Sequence, residues 1–474
     1  MPSAIFTAAV DLGATSGRVI LGKWEDNTLT LTEAHRFPNA YRELGANAYW
    51  EIGTLWSEIQ AGLHKAVAAL PKGAKLASVG VDTWGCDYVL VDDAGRIVFP
   101  VHAYRDNRTQ AGLAALAEKG AAHLYTATGI PNVFYNTSLQ LGEAVGRYPA
   151  LKETATRCLF LPDYFNFLLS GKMENELTVA STSQLLDVQG REWSRTALDH
   201  FKIPAKWFTP PILAGQRLGP ALNFPELGSP LVIAVPGHDT ACAYDAMPAS
   251  PDGGDLFISS GTWSLVGFEN AKPLLGPDAM AARVANERTG AGGYRPLTNV
   301  VGLFLLEQTM ADFKERPESA SDWDKLIDEA EKLPLPEVML DPTDPAFTAP
   351  KSMRAAIDAQ LKKNKADSPK DLAGYTRLIC ESIGRGHAAA AKNFEGMTGS
   401  KFRRILMVGG GSKNRLLCQA TANACGIPVV SFNLEGTAVG NIASQLISLG
   451  AVKNLATFRK LLSENLQQKT YQPA

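Results

Sequence analysis

Two short segments rich in Gly, Ser and Thr, each set between apolar runs, constrain the fold of this 474-residue chain more than any other feature. They are "AAVDLGATSGRVILGKWE" (8–25) and "FISSGTWSLVGFE" (257–269). An apolar run, a small polar turn and a second apolar run are typical of a β-hairpin. Because each half of the chain contains such a hairpin near its start, the sequence predicts two α/β domains, spanning 1–243 and 244–474.

The segments around the hairpins alternate between helical and extended patterns. Apolar residues at helical spacing predict a helix in "IGTLWSEIQAGLHKAVAAL" (52–70), and "LVIAVPGHD" (231–239) is a short apolar strand that ends in Pro-Gly. "RILMVGGGSKNRLLCQATANACGIPVV" (404–430) is typical of a parallel strand–helix–strand unit. "RDNRTQAGLAALAEKGAAHLYTATG" (105–129) is predicted to be one helix. The predicted class is therefore α/β.

Composition excludes several classes of partner. The net charge is −2, so no basic field indicates a nucleic acid or an anionic membrane as partner. The six cysteines form no CxxC pair and are expected to be free thiols. The N-terminus lacks a basic segment typical of a signal peptide, and no run approaches the roughly 18–20 apolar residues of a membrane span. We expect a cytoplasmic location, and the sequence gives no indication of an oligomeric state.

The two hairpin turns are candidate phosphate sites. Turns of Gly, Ser and Thr let backbone N–H groups point into one concavity, which suits phosphate oxygens. The alternative is that each turn is only a tight hairpin, but two such turns suggest a pair that grips one polyphosphate from both sides. The candidate residues are Gly13, Ala14, Thr15, Ser16, Gly17 and Arg18 in the first turn and Ser259, Ser260, Gly261 and Thr262 in the second.

Asp11 is a candidate ligand for Mg²⁺, directly or through water. It stands at the end of an apolar strand, immediately before the first turn, where an acid is costly unless it binds something. Mg²⁺ is commonly held by one or two carboxylates together with phosphates. The alternative is that Asp11 caps the turn.

The segment "GGGSKN" (409–414) is a candidate nucleotide contact. It lies between a predicted strand and a predicted helix, and it matches neither GxGxxG nor the P-loop pattern. Its three glycines allow a flat ligand or a phosphate to approach the N-terminus of the helix. A plain strand–helix turn remains the alternative.

Two further segments carry candidate catalytic and sugar-binding residues. "GHDT" follows a predicted strand, where Asp239 is well placed as a general base and His238 as a residue that orients a hydroxyl. The alternative is a linking turn in which the aspartate caps a helix. "VDTWGCD" places Asp82, Trp84 and Asp87 around a glycine turn, a combination that suits a polyol, although Trp84 also fits a core position.

Together these segments resemble the FGGY family of carbohydrate kinases over nearly the whole chain. The resemblance rests on "DLGATSGR", "DTWGCDYVLVD", "YRDNRT", "LPDYFNFLLSGK", "GHDTACA", "SSGTWSLVGFE" and "NVVGLFLLEQ", which are similar to the rhamnulokinase branch. "TSQLLDVQ" (182–189) is equally similar to L-fuculokinases. The family implies a duplicated, two-lobed, actin-like (ribonuclease H-like) ATPase fold with a cleft between the lobes.

The resemblance also implies roles for individual residues. Asp239 matches the catalytic base that takes a proton from a ketose hydroxyl, and Glu307 stands where the family carries a glutamine near ATP. The implied substrate-binding residues are Gly85, His238, Asp239, Thr240 and Asn299, with Asp82 and Trp84 from the residue pattern. The implied nucleotide-binding residues are Ala14, Thr15, Ser16, Gly17, Arg18, Thr262, Glu307, Gly410, Gly411 and Asn414.

The implied reaction is phosphoryl transfer from ATP, with Mg²⁺, to a primary hydroxyl of a 6-deoxy-ketohexose such as L-rhamnulose. Kinases for L-fuculose, L-ribulose, xylulose or glycerol remain alternatives, because a few contacts distinguish one sugar from another. An actin-like ATP switch, or a sugar-binding regulator without catalysis, needs the hairpins but no base. Asp239 and "DTWGCD" argue against that alternative.

Overall fold

The structure, a computed structural model, describes residues 4–222, 228–250, 252–342, 344–347, 350–432 and 434–474. The chain divides into two compact units. The first comprises Met1–Pro248, Glu269–Pro296 and Glu435–Asn465. The second comprises Ala249–Phe268, Leu297–Leu434 and Leu466–Ala474.

The strands, in chain order, are β1 (Ile5–Leu12), β2 (Ser16–Glu25), β3 (Thr28–Pro38), β4 (Arg42–Leu44), β5 (Asn47–Tyr49), β6 (Leu76–Thr83), β7 (Tyr88–Val91), β8 (Arg157–Phe160), β9 (Gln216–Pro220), β10 (Leu231–Ala234), β11 (Asp255–Ser260), β12 (Trp263–Gly267), β13 (Ala285–Arg288), β14 (Tyr294–Val301), β15 (Arg404–Val408), β16 (Val429–Phe432) and β17 (Gln468–Tyr471).

The helices, in chain order, are α1 (Ile52–Ala68), α2 (Gln110–Lys119), α3 (Ala122–Thr128), α4 (Thr137–Arg147), α5 (Leu151–Thr154), α6 (Leu161–Ser170), α7 (Leu177–Ala180), α8 (Arg195–Phe201), α9 (Asp239–Ala246), α10 (Pro277–Ala281), α11 (Phe304–Phe313), α12 (Ala320–Glu331), α13 (Met353–Lys363), α14 (Leu372–Thr398), α15 (Arg415–Cys425), α16 (Gly436–Ser448) and α17 (Leu455–Asn465).

The first unit is built on a mixed sheet with the strand order β3-β2-β1-β6-β10-β9. The strands β1, β2 and β3 form an antiparallel meander, whereas β1, β6 and β10 are mutually parallel neighbours. β1 and β6 are buried along nearly their whole length, as the apolar sequences of parallel strands require. Helix α1 packs its apolar face on this sheet through Leu55, Ile59 and Leu63.

The strands of the second unit follow the order β14-β12-β11-β15-β16-β17. β11 pairs antiparallel with β12 and parallel with β15, and β15 pairs parallel with β16. The long helix α14 packs against α15 and α11, and its buried face includes Leu378, Ile379 and Ile383. The predicted strand–helix–strand unit of 404–430 is therefore confirmed.

Most predicted elements are confirmed, including both hairpins and the helix that begins at Ile52. The prediction of one helix over 105–129 is wrong. The chain instead forms α2 and α3, separated at Gly120, which has a φ of 68°. The left-handed backbone of Gly120 cannot continue a right-handed helix.

The cysteines are free thiols, and all but Cys425 are buried. Cys418 and Cys425 both lie on α15 and form no disulfide, as predicted. Among the described residues, no helix is both long enough and apolar enough to cross a bilayer.

Candidate active site

Three aspartates meet at one edge of the sheet of the first unit. Asp11 lies at the end of β1, Asp82 lies near the end of β6, and Asp239 follows β10. Asp11 and Asp82 are register partners, and the N–H of Thr83 donates to the carbonyl of Gly237 at 2.9 Å. The carboxyl ends of parallel strands form ligand sites in open α/β sheets. The fold therefore brings together the three aspartates that the sequence singled out.

Asp11 is bound by the arginine opposite it in the first hairpin. Arg18 Nε donates to Asp11 Oδ2 at 2.9 Å, and Arg18 Nη1 lies 2.5 Å from Glu435 Oε2. Burial raises the pKa of Asp11 to about 6, with Arg18 opposing the shift and the charge of Asp239 adding to it. Arg18 is thus a structural partner of Asp11, a contact that the hairpin register fixes.

Asp82 is fully buried, and one of its oxygens lacks a hydrogen-bond partner. Asn441 Nδ2 donates to Asp82 Oδ2 at 2.6 Å, and Gln445 Nε2 donates to Asn441 Oδ1 at 2.7 Å. Asp82 Oδ1 is a buried acceptor with no partner within the described chain. Burial, reinforced by the charge of Asp11, raises the pKa of Asp82 well above its ordinary value. An unsatisfied buried carboxylate next to Asp11 is costly unless a proton, water or cation meets it.

The candidate base, Asp239, is the first residue of α9 and remains partly open, with its side chain 29% exposed. Its Oδ1 accepts from the Thr240 N–H at 2.5 Å and from the Thr240 hydroxyl at 3.0 Å. The His238 Nε2 atom lies 3.4 Å from the same oxygen. The predicted group of His238, Asp239 and Thr240 is therefore a real cluster in the fold.

Two charged residues that sequence reasoning missed hold the His238 ring. Arg295 Nη2 lies 2.6 Å from His238 Nδ1, Glu287 Oε2 lies 3.1 Å from the same nitrogen, and Arg295 also bonds Glu287. Because a guanidinium only donates, we assign His238 Nδ1 as the acceptor from Arg295 and Nε2 as the protonated nitrogen facing Asp239. In this tautomer Glu287 makes no hydrogen bond to the ring and acts on it through its ion pair with Arg295. Burial raises the pKa of Glu287, but the charge of Arg295, with which it forms an ion pair, outweighs burial and brings the pKa to about 2. Glu287 is therefore ionised at neutral pH.

A third residue that sequence reasoning missed, Glu176, fixes the backbone that precedes the base. Glu176 Oε2 accepts from the N–H of Gly237 at 2.8 Å and from the N–H and hydroxyl of Thr178 at 2.9 and 2.6 Å. The Thr178 hydroxyl in turn accepts from the N–H of His238 at 3.2 Å. Glu287 in "ARVANERTG" (282–290) and Glu176 in "MENELTVA" (173–180) have polar neighbours in sequence, so no local pattern singles them out.

The "DTWG" segment has a packed, hydrogen-bonded core. Trp84 is only 6% exposed, and Trp84 Nε1 and Trp50 Nε1 both donate to Asp87 Oδ2, at 2.8 and 2.6 Å. Asp87 therefore acts as the acceptor that holds two tryptophans. A Cβ at Gly85 would lie 2.9 Å from the hydroxyl of Thr182, so the backbone there approaches closely. The next residue, Cys86, has a φ of 73°, a strained value of the kind that clusters at functional sites.

The first hairpin turn is built from backbone contacts. The Gly13 N–H donates to the Ser16 carbonyl at 2.9 Å, and the Asn39 side chain donates to the Gly13 carbonyl at 2.8 Å. Gly17 is buried against Phe37, whereas Thr15 is exposed at the tip. Thr15 is therefore the residue of this turn that is most open to a ligand.

In the second unit the structure brings the second hairpin and the "GGG" segment together. A Cβ at Gly411 would lie 2.0 Å from Ser260 Oγ, whereas a Cβ at Gly410 would meet nothing within 4 Å. Thr262 is exposed at the hairpin tip, and its carbonyl accepts from the N–H groups of Gly302 and Phe304. Gly411 is thus a packing glycine, and Gly410 is the one with room for a ligand.

The remaining predicted residues of the second unit have more ordinary surroundings. Asn414 caps α15, with Oδ1 accepting from the Leu417 N–H at 3.1 Å. Asn299 lies on β14 opposite Leu265, and Glu307 lies in the first turn of α11; both are exposed. The sugar contact of Asn299 and the nucleotide contact of Glu307 stay predictions. The facing arrangement of the two hairpins and the domain boundary at 243/244 also stay predictions.

No three His, Cys, Asp or Glu side chains form a ready metal cage among the described residues. Asp11 and Asp82, with one orphaned oxygen, fit a cation that keeps most of its own water and phosphate ligands, as Mg²⁺ does.

Several solved structures that share this fold are sugar and polyol kinases. The xylulose kinase of Lactobacillus acidophilus superposes with a TM-score of 0.81 at 16% identity, covering 99% of this chain and 94% of that one. The glycerol kinase of Plasmodium falciparum with ADP superposes with a TM-score of 0.82 at 13% identity, covering 99% and 94%. The predicted actin-like α/β fold is confirmed.

Sequence comparison defines the family. The models of the FGGY family of carbohydrate kinases match residues 6–240 with the N-terminal domain and 256–449 with the C-terminal domain. A rhamnulokinase of Enterobacter sp. (strain 638) is 38% identical over 471 residues, covering 98% of this chain and 94% of that protein. This chain belongs to the FGGY family of carbohydrate kinases.

Proposed function

We propose that this chain is an ATP-dependent sugar kinase that phosphorylates the primary hydroxyl of L-rhamnulose to give L-rhamnulose 1-phosphate. The sugar is suggested by the name and 38% identity of the Enterobacter relative. The observation that carries the reaction is the partly open carboxylate of Asp239, placed at a helix N-terminus beside an oriented His238.

In the proposed reaction the sugar hydroxyl oxygen attacks the γ-phosphorus of ATP, and the bond from that phosphorus to the β–γ bridging oxygen breaks. The hydroxyl proton passes to Asp239, and ADP leaves. Such a transition state is loose, so positioning and charge neutralisation do most of the work. His238, whose Nδ1 accepts from Arg295, places its Nε2 3.4 Å from Asp239 Oδ1, where it can orient the carboxylate and the sugar hydroxyl.

The residues for the sugar and nucleotide are proposed from the same geometry. The carboxylate of Asp239 suits the sugar, with Thr240 beside it. Gly85, whose backbone packs closely against Thr182, is the exception and is proposed as a sugar contact from the family resemblance alone. The exposed Thr15 and Thr262 and the open space at Gly410 suit phosphates and nucleotide. Asp11 and Asp82 would hold Mg²⁺, which neutralises phosphate charge when bound. We place the reaction in the cytoplasm, where ATP is available.

The experiment is a coupled ADP-release assay over a panel of L-rhamnulose, L-fuculose, L-ribulose, D-xylulose and glycerol. We expect the highest kcat/KM with L-rhamnulose and little ADP without sugar. Preference for another member of the panel would refute the substrate but keep the kinase. A rate of ADP release that is the same with and without each sugar would refute the sugar kinase activity and support an ATP switch.

A further inference from the structure

The first unit contains a cavity whose lining includes none of the residues clustered around Asp239. It has a volume of about 390 Å³ and opens between the end of α4 and the segment that contains Phe99 and His102. This volume is within the usual range of small-molecule sites, about 300–1,000 Å³. The proposed reaction uses none of the residues that line it.

One wall of the cavity is a continuous row of rings. The ring centroids of Tyr49 and His102 are 4.5 Å apart, those of His102 and Phe99 are 5.2 Å apart, and those of Phe99 and Tyr148 are 5.6 Å apart. Tyr148, at the rim, is 49% exposed. Such a row offers flat faces on which the C–H face of a ligand packs.

The floor of the cavity holds a buried arginine with spare donors. The side chain of Arg108 is only 6% exposed, and it makes one hydrogen bond, from Nη2 to Gln140 Oε1 at 2.8 Å. Its Nε and Nη1 are buried without a hydrogen-bond partner in the described chain. A buried guanidinium whose Nε and Nη1 make only long ion-pair contacts is incompletely satisfied, and a ligand that accepts from it lowers that cost.

The charges around the cavity balance. Arg108 Nε lies 3.5 Å from Glu143 Oε2, and Arg108 Nη1 lies 4.0 Å from Asp106 Oδ2. Arg147 Nη1 lies 3.8 Å from Glu143 Oε1. Burial lowers the pKa of His102 to about 4, so that ring is neutral at pH 7. Two cations and two carboxylates create no strong preference for an anion, and together they offer both donors and acceptors.

We propose that this cavity is a second, non-catalytic binding site for a neutral mono- or disaccharide. Hydroxyl groups both donate and accept, which matches the incompletely satisfied guanidinium of Arg108 and the carboxylate of Glu143, while the sugar C–H face packs on Phe99 and Tyr148. The proposal is independent of which sugar the kinase phosphorylates.

The cavity is joined to the tryptophans of the "DTWG" segment by hydrogen bonds. Gln140, which accepts from Arg108, donates from Nε2 to Asp87 Oδ1 at 3.2 Å, and Asp87 Oδ2 accepts from Trp84 and Trp50. A saccharide that binds Arg108 is therefore expected to change the environment of both indoles. Binding can then be followed by tryptophan fluorescence as well as by the heat released in calorimetry.

The test is calorimetric titration of the full chain, without ATP, with D-fructose, L-rhamnose, sucrose and inorganic phosphate; L-rhamnulose, the proposed substrate, is left out because it would bind at Asp239. At least one saccharide is expected to bind wild-type protein with a change in tryptophan emission. Tyr148→Ala should raise its Kd about tenfold, since one ring contact is lost. Met280→Ala, which also truncates an exposed apolar side chain, should leave the Kd unchanged.

Arg108→Gln removes the floor donors, and a thermal melt reports whether that variant folds. If Arg108→Gln does not fold, the saccharide Kd of Tyr148→Ala, a substitution at an exposed side chain, is the deciding measurement. The proposal is overturned if no saccharide binds. It is equally overturned if every saccharide Kd is the same in Tyr148→Ala as in wild type, or if phosphate alone binds in a manner that needs Arg108.

Discussion

The Nε2 atom of His238 lies 3.4 Å from Oδ1 of Asp239. On its other side the Nδ1 atom of the same imidazole accepts from Arg295, whose fully buried side chain is paired with Glu287. A chain of charged groups thus runs from the interior of the first unit to a carboxylate that is 29% exposed. The arrangement resembles other sites in which a buried group holds an imidazole in one tautomer.

Glu287→Gln tests this chain. Glutamine cannot neutralise Arg295, and breaking a buried pair by removing one partner typically costs about 3–5 kcal/mol. We expect a loss of unfolding free energy of this order in a urea titration. We also expect a kcat about 10–100-fold lower with an unchanged KM for ATP, because His238 loses its orientation.

Glu25→Gln is the matched control for that variant. Glu25 pairs with Lys23 at 2.6 Å on the surface of the same unit, and exposed pairs contribute about 0–1 kcal/mol. An effect of Glu287→Gln on stability as small as that of Glu25→Gln, together with a normal kcat, would show that the buried chain has no role.

Two of the three glycines of the "GGG" segment, Gly410 and Gly411, separate ligand binding from packing. Gly411→Ala places a Cβ 2.0 Å from Ser260 Oγ, so we expect a loss of about 1–3 kcal/mol of unfolding free energy from overpacking. Gly410→Ala meets nothing within 4 Å and should leave stability unchanged while raising the KM for ATP. Urea titration and steady-state kinetics of both variants check this, and a normal KM in Gly410→Ala would contradict the proposed nucleotide contact.

Asp245 makes the stability of the first unit depend on pH. Burial raises its pKa from 3.8 to about 7, with Arg459 opposing and Glu269 adding to the shift. A raised carboxyl pKa means that the folded state binds the proton more tightly, so stability falls as the pH rises from about 4 to about 7. Each pKa unit corresponds to about 1.4 kcal/mol.

Asp245→Asn should therefore flatten this decline. In urea titrations between pH 4 and pH 8, the unfolding free energy of the variant should rise relative to that of the wild type as the pH increases. Asp92→Asn is the control of opposite sign, because hydrogen bonds from the Arg96 N–H and side chain lower the pKa of Asp92. A pH dependence identical in wild type and Asp245→Asn would show that Asp245 is ionised without cost.

Local patterns were enough to predict the hairpins, the main helices and the strand ends that carry Asp11, Asp82 and Asp239. Each of these depends on neighbours in sequence: apolar periodicity, a Gly/Ser/Thr turn, or a polar residue at the end of a strand. The break at Gly120 was missed because a glycine inside an otherwise helical pattern does not reveal its φ.

Long-range partners could not be predicted from such patterns. Glu287 and Arg295 meet His238, and Asn441 meets Asp82, only through the fold. The same holds for the bond from Trp50 to Asp87, which requires two segments to converge, whereas Trp84 reaches Asp87 within its own turn. A single sequence shows that a charge lies in an apolar run, but not which charge satisfies it.

The most direct test of the account is the turnover of Asp239→Asn with L-rhamnulose in the coupled assay. Asparagine keeps the size of the side chain but cannot take up the hydroxyl proton at neutral pH. We expect kcat to fall by several orders of magnitude while the Kd for ATP, measured by calorimetry, changes little. A variant that folds, binds ATP and retains near-wild-type kcat would contradict the assignment of Asp239 as the base.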